Sequence, residues 1–390
     1  MFQFTQPQTP LRDAITGAYR LDEVTAVSNL LATLNFDNAQ KEQISALARR
    51  LITQVRADRS KSSGVDALMQ EFSLSSEEGV ALMCLAESLL RIPDTATRDR
   101  LIQDKLSDGD WKSHVGNSPS MFVNAAAWGL VLTGKLTQPT TGGLGSALTR
   151  VLQKGGAPFI RAGVNHAMKI LGKQFVTGQT IEEALSNGKE REKLGYRFSF
   201  DMLGEAAMTA EDADRYYQDY VTAIHAIGKD AKGRGVYDGN GISVKLSAIH
   251  PRYFRAQHER VMTELLPRLK ALFVLAKEYD IGLNIDAEEA NRLELSLDLM
   301  EKLVSDTDLQ GFNGIGFVVQ AYQKRCPYVI DFLIDLARRN NQRLMIRLVK
   351  GAYWDSEIKW AQVDGLDGYP VYTRKVHTDV SYLACAQKLL

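Results

Sequence analysis

The sequence predicts a protein that is all-α in its first half and α/β, with a parallel sheet, in its second. Two observations carry this. Before about residue 175 apolar residues recur at the spacing of one helix face, and after about residue 190 short β-rich runs alternate with helical stretches. A third sharpens it. A polar residue stands at or near the C-terminal end of each β-rich run, the edge at which parallel sheets carry their functional groups.

Residues 1–50 read as an arm and residues 55–175 as a helical domain. From Asn38 to Arg59, Ile44, Leu47, Ala48, Leu51 and Val55 fall on one helical face. The linker-like Lys61-Ser62-Ser63-Gly64 follows, and Ser75 with Glu78 has capping-box spacing, each side chain able to satisfy a free N–H at a helix start. Pro93 and Asp94 break that helix. Further helices are predicted over Thr97–Leu106, Pro119–Leu132 and Pro158–Leu171, with a Thr- and Gly-rich loop at Gln138–Ser146.

Residues 190–390 hold the β-rich runs Arg197–Met202, Ile242–Ser247, Gly282–Asp286, Gly314–Gln320 and Leu344–Val349. Helical stretches lie between them, Glu211–Ala226, Glu259–Lys277, Arg292–Leu303 and Tyr328–Arg339 among them. Such alternation implies parallel βα units, and the nearly continuous apolar character of the runs implies a sheet covered by helices. An open doubly wound sheet and a (β/α)8 barrel both fit.

Composition narrows the function. Lys plus Arg and Asp plus Glu both number 47 in 390 residues, and this zero net charge argues against a general nucleic-acid or membrane-surface binder. Three scattered cysteines, Cys84, Cys326 and Cys385, make neither a disulfide framework nor a zinc site and are expected to be buried thiols. No basic-then-apolar segment opens the chain, so a cytoplasmic protein is expected. The apolar run Met121–Gly134 falls short of the roughly 18–20 residues that span a bilayer, so any membrane contact is expected to be peripheral, at the inner face. The six histidines show no metal-ligand spacing, and no metal site is expected. Neither Gly142-Gly143-Leu144-Gly145 nor Gly314-Ile315-Gly316 sits at a strand-to-helix turn, so neither supports a Rossmann nucleotide site.

The chemistry therefore rests on the ends of the runs: Asp201, Lys245, Asp286, Gln320 and Arg347. One such residue alone commonly caps a helix or forms an ion pair, but burying five of them in register without a task is costly. Taken alone, Lys245 serves equally well as the Schiff-base lysine of an aldolase-type barrel.

Longer stretches carry a resemblance. RLVKGAYWD from Arg347, ISVKLSAIHPRY from Ile242, NIDAEEA from Asn284 and GFVVQAYQKR from Gly316, with SLSSEEGVALMCLAE from Ser73 and FSFDMLGEAA from Phe198, resemble the proline dehydrogenase region of the bifunctional proline utilization A family. The resemblance implies an α/β fold, a truncated proline dehydrogenase (β/α)8 barrel with about five strands, preceded by the arm and the all-α domain. It implies oxidation of L-proline to Δ1-pyrroline-5-carboxylate with FAD, electrons passing to a membrane quinone. NAD would serve an aldehyde dehydrogenase domain of the parent protein, and a homo-oligomer is compatible with it.

Residue by residue, the resemblance places Arg347 at the flavin ring, where a fixed guanidinium stabilises developing negative charge. Gln320 would bond the flavin's polar edge. Val349, Gly351 and Ala352 would form the backbone strip that approaches the cofactor, and Gly351 suits a close approach because it has no side chain. Tyr353 and Trp354 would line the cofactor and substrate space, and Thr373, Arg374 and Lys375 would reach the distal half of FAD. Lys245 and Asp286 would flank the substrate; the catalytic set is thus Lys245, Asp286, Arg347 and Tyr353.

A (β/α)8 barrel takes roughly 250 residues, and fewer follow residue 190. The last three strands are therefore expected to be missing, and with them, as the resemblance implies, a substrate-carboxylate arginine pair and the aldehyde dehydrogenase domain. The 390-residue chain alone is expected to be inactive, with inward-facing Leu246, Ile285 and Val318 short of cover. The alternatives are a Schiff-base lyase using Lys245 or Lys350, and a DNA-binding repressor, against which stand the neutral charge and the lack of room before Thr9 for a ribbon-helix-helix unit.

Overall fold

The computed structural model describes residues 9–59, 94, 97, 100, 176–203 and 206–390. Met1–Phe36 and Thr180–Leu390 form one compact unit and Asp37–Gln179 a second. In the second unit, the helix predicted over Asn38–Arg59 forms with those bounds (α3), and Ile44, Leu47, Leu51 and Val55 on it are exposed. The predicted helix Thr97–Leu106 is described only at Thr97 and Arg100, both helical, and the Thr97 N–H donates to Asp94 Oδ1 at 2.8 Å. The Ser75–Glu78 capping box, the stretches Pro119–Leu132 and Pro158–Leu171, the loop Gln138–Ser146 and Cys84 lie outside the described residues.

The first unit is built on five parallel strands, β1 (Ser199–Asp201), β2 (Gly241–Val244), β3 (Leu283–Ile285), β4 (Ile315–Gln320) and β5 (Met345–Val349). Each pairs with the next in sequence, the register running through Phe200↔Ile242, Ser243↔Asn284, Ile285↔Phe317 and Val318↔Arg347. This order separates the two architectures that fit the sequence. A doubly wound sheet reverses its strand order at a switch point, whereas a (β/α) barrel adds strands in one direction. The five strands form half of such a barrel.

Side chains alternate across each strand. Ile242, Val244, Leu283, Ile285, Ile315, Phe317 and Val319 belong to one fully buried core with residues of the covering helices. Those helices are α4 (Ile181–Lys193), α5 (Ala210–Ala231), α6 (Leu266–Glu278), α7 (Leu293–Val304) and α8 (Cys326–Arg339). Burying each Ile, Leu or Phe there is worth roughly 1.5–3 kcal/mol, which fixes the register: a slip of one residue would turn every apolar side chain to the other face. The alternate positions carry Ser199, Asp201, Ser243, Lys245, Asn284, Asp286, Gln320 and Arg347, the polar face of the half-barrel.

Local departures from the sequence reading have local causes. The second run stops at Val244; Leu246–Ile249 is a helical turn, opened by the Ala248 N–H donating to the Lys245 carbonyl at 3.1 Å. The helix predicted over Glu259–Lys277 contains a π-helical turn at Val261–Leu265 just before Pro267, which has no N–H to continue the ladder. The arm is helical too. Thr9 caps α1 (Pro10–Gly17) by accepting from the Arg12 N–H at 3.2 Å, and Asp22 caps α2 (Glu23–Thr33) by accepting from the Thr25 N–H at 2.9 Å. Arg12, 2% exposed, drives its guanidinium among Glu294 (2.9 Å) and Asp298 on α7 and over the Phe332 ring on α8. Two further helices, α9 (Trp354–Val363) and α10 (Lys375–Leu389), follow β5. Leu246, Ile285 and Val318, expected to lack cover, do not exceed 5% exposure. Leu246 and Ile285 pack in the core with the covering helices rather than inward, Val318 shares the face of Arg347, and exposure falls on the edge strands β1 and β5 instead.

Candidate active site

Lys245 follows β2 in extended conformation, its N–H donating to the hydroxyl of buried Tyr220 on α5 at 3.2 Å. Asp286 follows β3, its N–H donating to the Val244 carbonyl at 3.0 Å, so backbone pairing itself seats the two residues side by side. The Lys245 ammonium donates to Asp286 Oδ2 at 2.9 Å and to the Asp201 carboxylate at 3.0 and 3.2 Å. Lys245 and Asp286 are only 11% and 12% exposed, Asp201 39%, so Asp286 is the partner least screened by water. Burial alone would lower the lysine pKa, but Asp286 first and Asp201 second outweigh it, and the pKa is raised above the ordinary lysine value. Lys245 is held as an ammonium.

Arg347, from the middle of β5, reaches the same place. One edge donates to Ser243 Oγ (Nη1, 2.8 Å) and Ser199 Oγ (Nη2, 2.6 Å), and Nη1 also lies 3.4 Å from Asp286 Oδ1. Ser199 and Ser243 are themselves 3.1 Å apart. Two cations and two carboxylates thus balance, with the guanidinium about one third exposed at the mouth.

The remaining predicted residues form a second and a third group. Gln320 is buried, donates from Nε2 to the Glu288 carbonyl at 2.9 Å, and lines a small cavity together with Asp286, Glu288, Arg292 and Tyr253. Burial raises the Glu288 pKa, although Arg292 opposes it. In the strip after β5, the Val349 and Lys350 carbonyls accept from the Ala321 and Tyr322 N–H groups at 2.8 and 2.7 Å. Gly351 adopts φ +136°, and a Cβ there would stand 2.4 Å from the Tyr322 ring. A packed tyrosine therefore accounts for the glycine. Ala352 is exposed and Tyr353 half-buried; the Trp354 ring is exposed, with Nε1 donating to the Tyr372 carbonyl at 2.8 Å. Thr373, Arg374 and Lys375 lie at the start of α10, where Thr373 donates through N and Oγ1 to Glu23 and Lys375 pairs with Asp379 at 2.8 Å.

Of the predicted catalytic residues, the structure brings Lys245, Asp286 and Arg347 together. Sequence reasoning noted Asp201 at the end of its run without giving it a role, and missed Ser199 and Ser243. Counting back two residues from Asp201 and Lys245, along the same face of each strand, would have found both serines. The lyase reading loses support, because a Schiff-base lysine must be neutral to attack and Lys245 is held charged. Lys350 is ion-paired with Asp379. No described helix is long and apolar enough to cross a membrane.

Residues 184–390 match the family model described as proline dehydrogenase, just over half of the chain. The chain belongs to the proline dehydrogenase family. Residues 9–56 match the N-terminal domain model of proline utilization A proline dehydrogenase, and residues 64–175 a model described as the DNA-binding domain of proline dehydrogenase. The bifunctional protein PutA of Escherichia coli K12 is 63% identical over 388 residues, 98% of this chain and 29% of that protein. Proline dehydrogenase 1 of Bacillus subtilis 168 is 28% identical over 191 residues, 49% of this chain and 55% of that protein. A solved mutant of Bradyrhizobium japonicum proline utilization A superposes with a TM-score of 0.68 at 44% identity, over 95% of this chain and 37% of that one. The chain thus spans about three tenths of the curated PutA relatives it matches. The model covering residues 64–175 carries a DNA-binding description, against the expectation drawn from the zero net charge of the whole chain.

Proposed function

We propose that the chain carries the proline-oxidising part of a bifunctional enzyme: FAD-dependent conversion of L-proline to Δ1-pyrroline-5-carboxylate. The observation that carries the reading is the neutral cluster of Lys245, Arg347, Asp286 and Asp201 at the mouth of the half-barrel. Such a cluster matches a zwitterion, with the cations available to the substrate carboxylate and the carboxylates to its ammonium. A fixed ammonium beside the substrate nitrogen also lowers that nitrogen's pKa, the condition for the proton loss that must accompany oxidation. The residues around it suit a flavin dinucleotide: an exposed guanidinium at Arg347, an exposed and anchored indole at Trp354, and the cations Arg374 and Lys375 at a helix start. Gln320, Val349, Gly351, Ala352, Trp354 and Thr373–Lys375 would hold it, and Tyr353 would line the substrate space. When bound, the flavin supplies the hydride acceptor.

The same reading assigns residues 1–50 to an arm, 55–175 to a helical domain and 190–390 to the barrel. It places the parent protein in the cytoplasm, peripheral at the inner membrane face, passing electrons to a quinone, with NAD serving a separate aldehyde dehydrogenase domain. Full-length protein reconstituted with FAD should show a flavin spectrum that L-proline bleaches without oxygen; absence of that spectrum sinks the reading. A second activity, DNA contact by residues 64–175, is favoured by the model that matches them. A gel shift at physiological salt tests it, no retardation speaking against it.

A further inference from the structure

The arm residue Glu23, first in α2, lies 350 residues in sequence from the hydroxyl it engages on Thr373. Its carboxylate accepts from the Thr373 N–H at 3.0 and 3.1 Å, from Thr373 Oγ1 at 3.2 Å, and from His377 Nδ1 at 2.5 Å. The side chain is 17% exposed, so these charge-assisted bonds form largely out of water. Arg374, the N-cap of α10, makes no side-chain cap of its own, so an acidic group from another element stands at the positive end of this helix. The neighbouring Tyr372 is held from three other sides. Its N–H donates to the Tyr322 carbonyl at 2.9 Å, its carbonyl accepts from Trp354, and its ring packs with Ala26, Leu30 and Ala384.

We infer that Glu23 is a positioning residue for the cofactor segment Tyr372–Lys375, fixing its backbone in the shape that receives the distal, adenylate half of the dinucleotide. The inference rests on the flavin reading above and extends it to the arm. Glu23 acts through Thr373 and His377, and the apolar contacts of Ala26 and Leu30 keep α2 docked when the carboxylate is removed. The test is a fluorescence titration of apo full-length protein with FAD and, separately, with FMN, which lacks the adenylate. Glu23→Ala should weaken FAD binding roughly tenfold or more, the loss expected for charged hydrogen bonds, and leave FMN binding within about twofold of wild type. Glu23→Gln, which keeps an acceptor oxygen, should fall between. Equal losses for the two flavins would mark a merely structural residue and overturn the inference, as would unchanged FAD binding. Wild-type protein that takes up neither flavin would overturn the flavin reading itself. If Glu23→Ala does not fold, Glu23→Gln and His377→Ala carry the same FAD-to-FMN comparison.

Discussion

Arg347 on β5 reaches across the polar face of the half-barrel to Ser199 on β1, Nη2 to Oγ at 2.6 Å. The contact joins the first and last described strands through side chains, since in the ladder these two are separated by three others. Together with Ser243 it turns the guanidinium so that a single nitrogen faces Asp286, leaving Lys245 as the closer partner of that carboxylate. Arg347→Met should therefore slow flavin reduction by proline and weaken flavin binding as well. Losing one fixed charge of this kind costs on the order of 10²-fold in rate. Stopped-flow reduction with wild-type kinetics would remove Arg347 from the site.

Asp286→Ala should lower proline turnover far more than flavin content, because Asp286 contacts Lys245 and Arg347 rather than the strip after β5. A flavin-to-protein absorbance ratio near wild type with turnover down at least tenfold is the expected pair of results.

Lys245 gives a pH prediction with a definite sign. Its pKa in the fold is raised above the ordinary lysine value, so its contribution to stability is fully present below about pH 10.5 and is lost as pH rises through the raised value. An alkaline limb in the pH–rate profile below about pH 10 thus cannot be deprotonation of Lys245. Lys245→Met should lower the rate and leave the position of that limb unchanged. For the same reason borohydride with a carbonyl substrate should trap no adduct at Lys245; a trapped adduct would restore the lyase reading.

Gly351→Ala should destabilise the fold by about 2–4 kcal/mol, combining the strain of a positive φ with a clash against a packed ring. Denaturant melts check it, and Tyr322→Ala in the same chain should recover only the part due to the clash.

Four of the five strands were legible as short apolar runs holding β-branched residues and the first by its alternating Phe198 and Phe200, and all five formed within three residues of the predicted bounds. The polar ends of the runs were legible for the same reason: Lys245, Asp286 and Arg347 interrupt otherwise apolar stretches. Ser199 and Ser243 were not, since a hydroxyl in a strand carries no signal until its partner on another strand is known. The helices α1 and α2 were missed because they are short, eight and eleven residues, too few turns for a helical period to stand out from the surrounding chain. What holds α1 is Arg12 against Glu294, 282 residues away, which no local pattern encodes.

That anchor yields the last prediction. Arg12 is buried, and its two nearest partners, Glu294 and Asp298, are also largely out of water. Removing one member of a buried ionic group leaves the others uncompensated and typically costs about 3–5 kcal/mol. The two acids are not equally exposed to that loss. Asp298 keeps Arg255 at 2.5 Å and His258 at 3.2 Å, and among the described residues Glu294 keeps only the more distant Arg325, at 3.8 Å. Arg12→Ala should therefore destabilise the fold mainly by stranding Glu294, and Glu294→Gln should recover a measurable part of the loss while Asp298→Asn should not. The double-mutant cycle is read from urea midpoints of the full-length protein. Recovery by Asp298→Asn instead of Glu294→Gln would show that Asp298, not Glu294, depends on the arm.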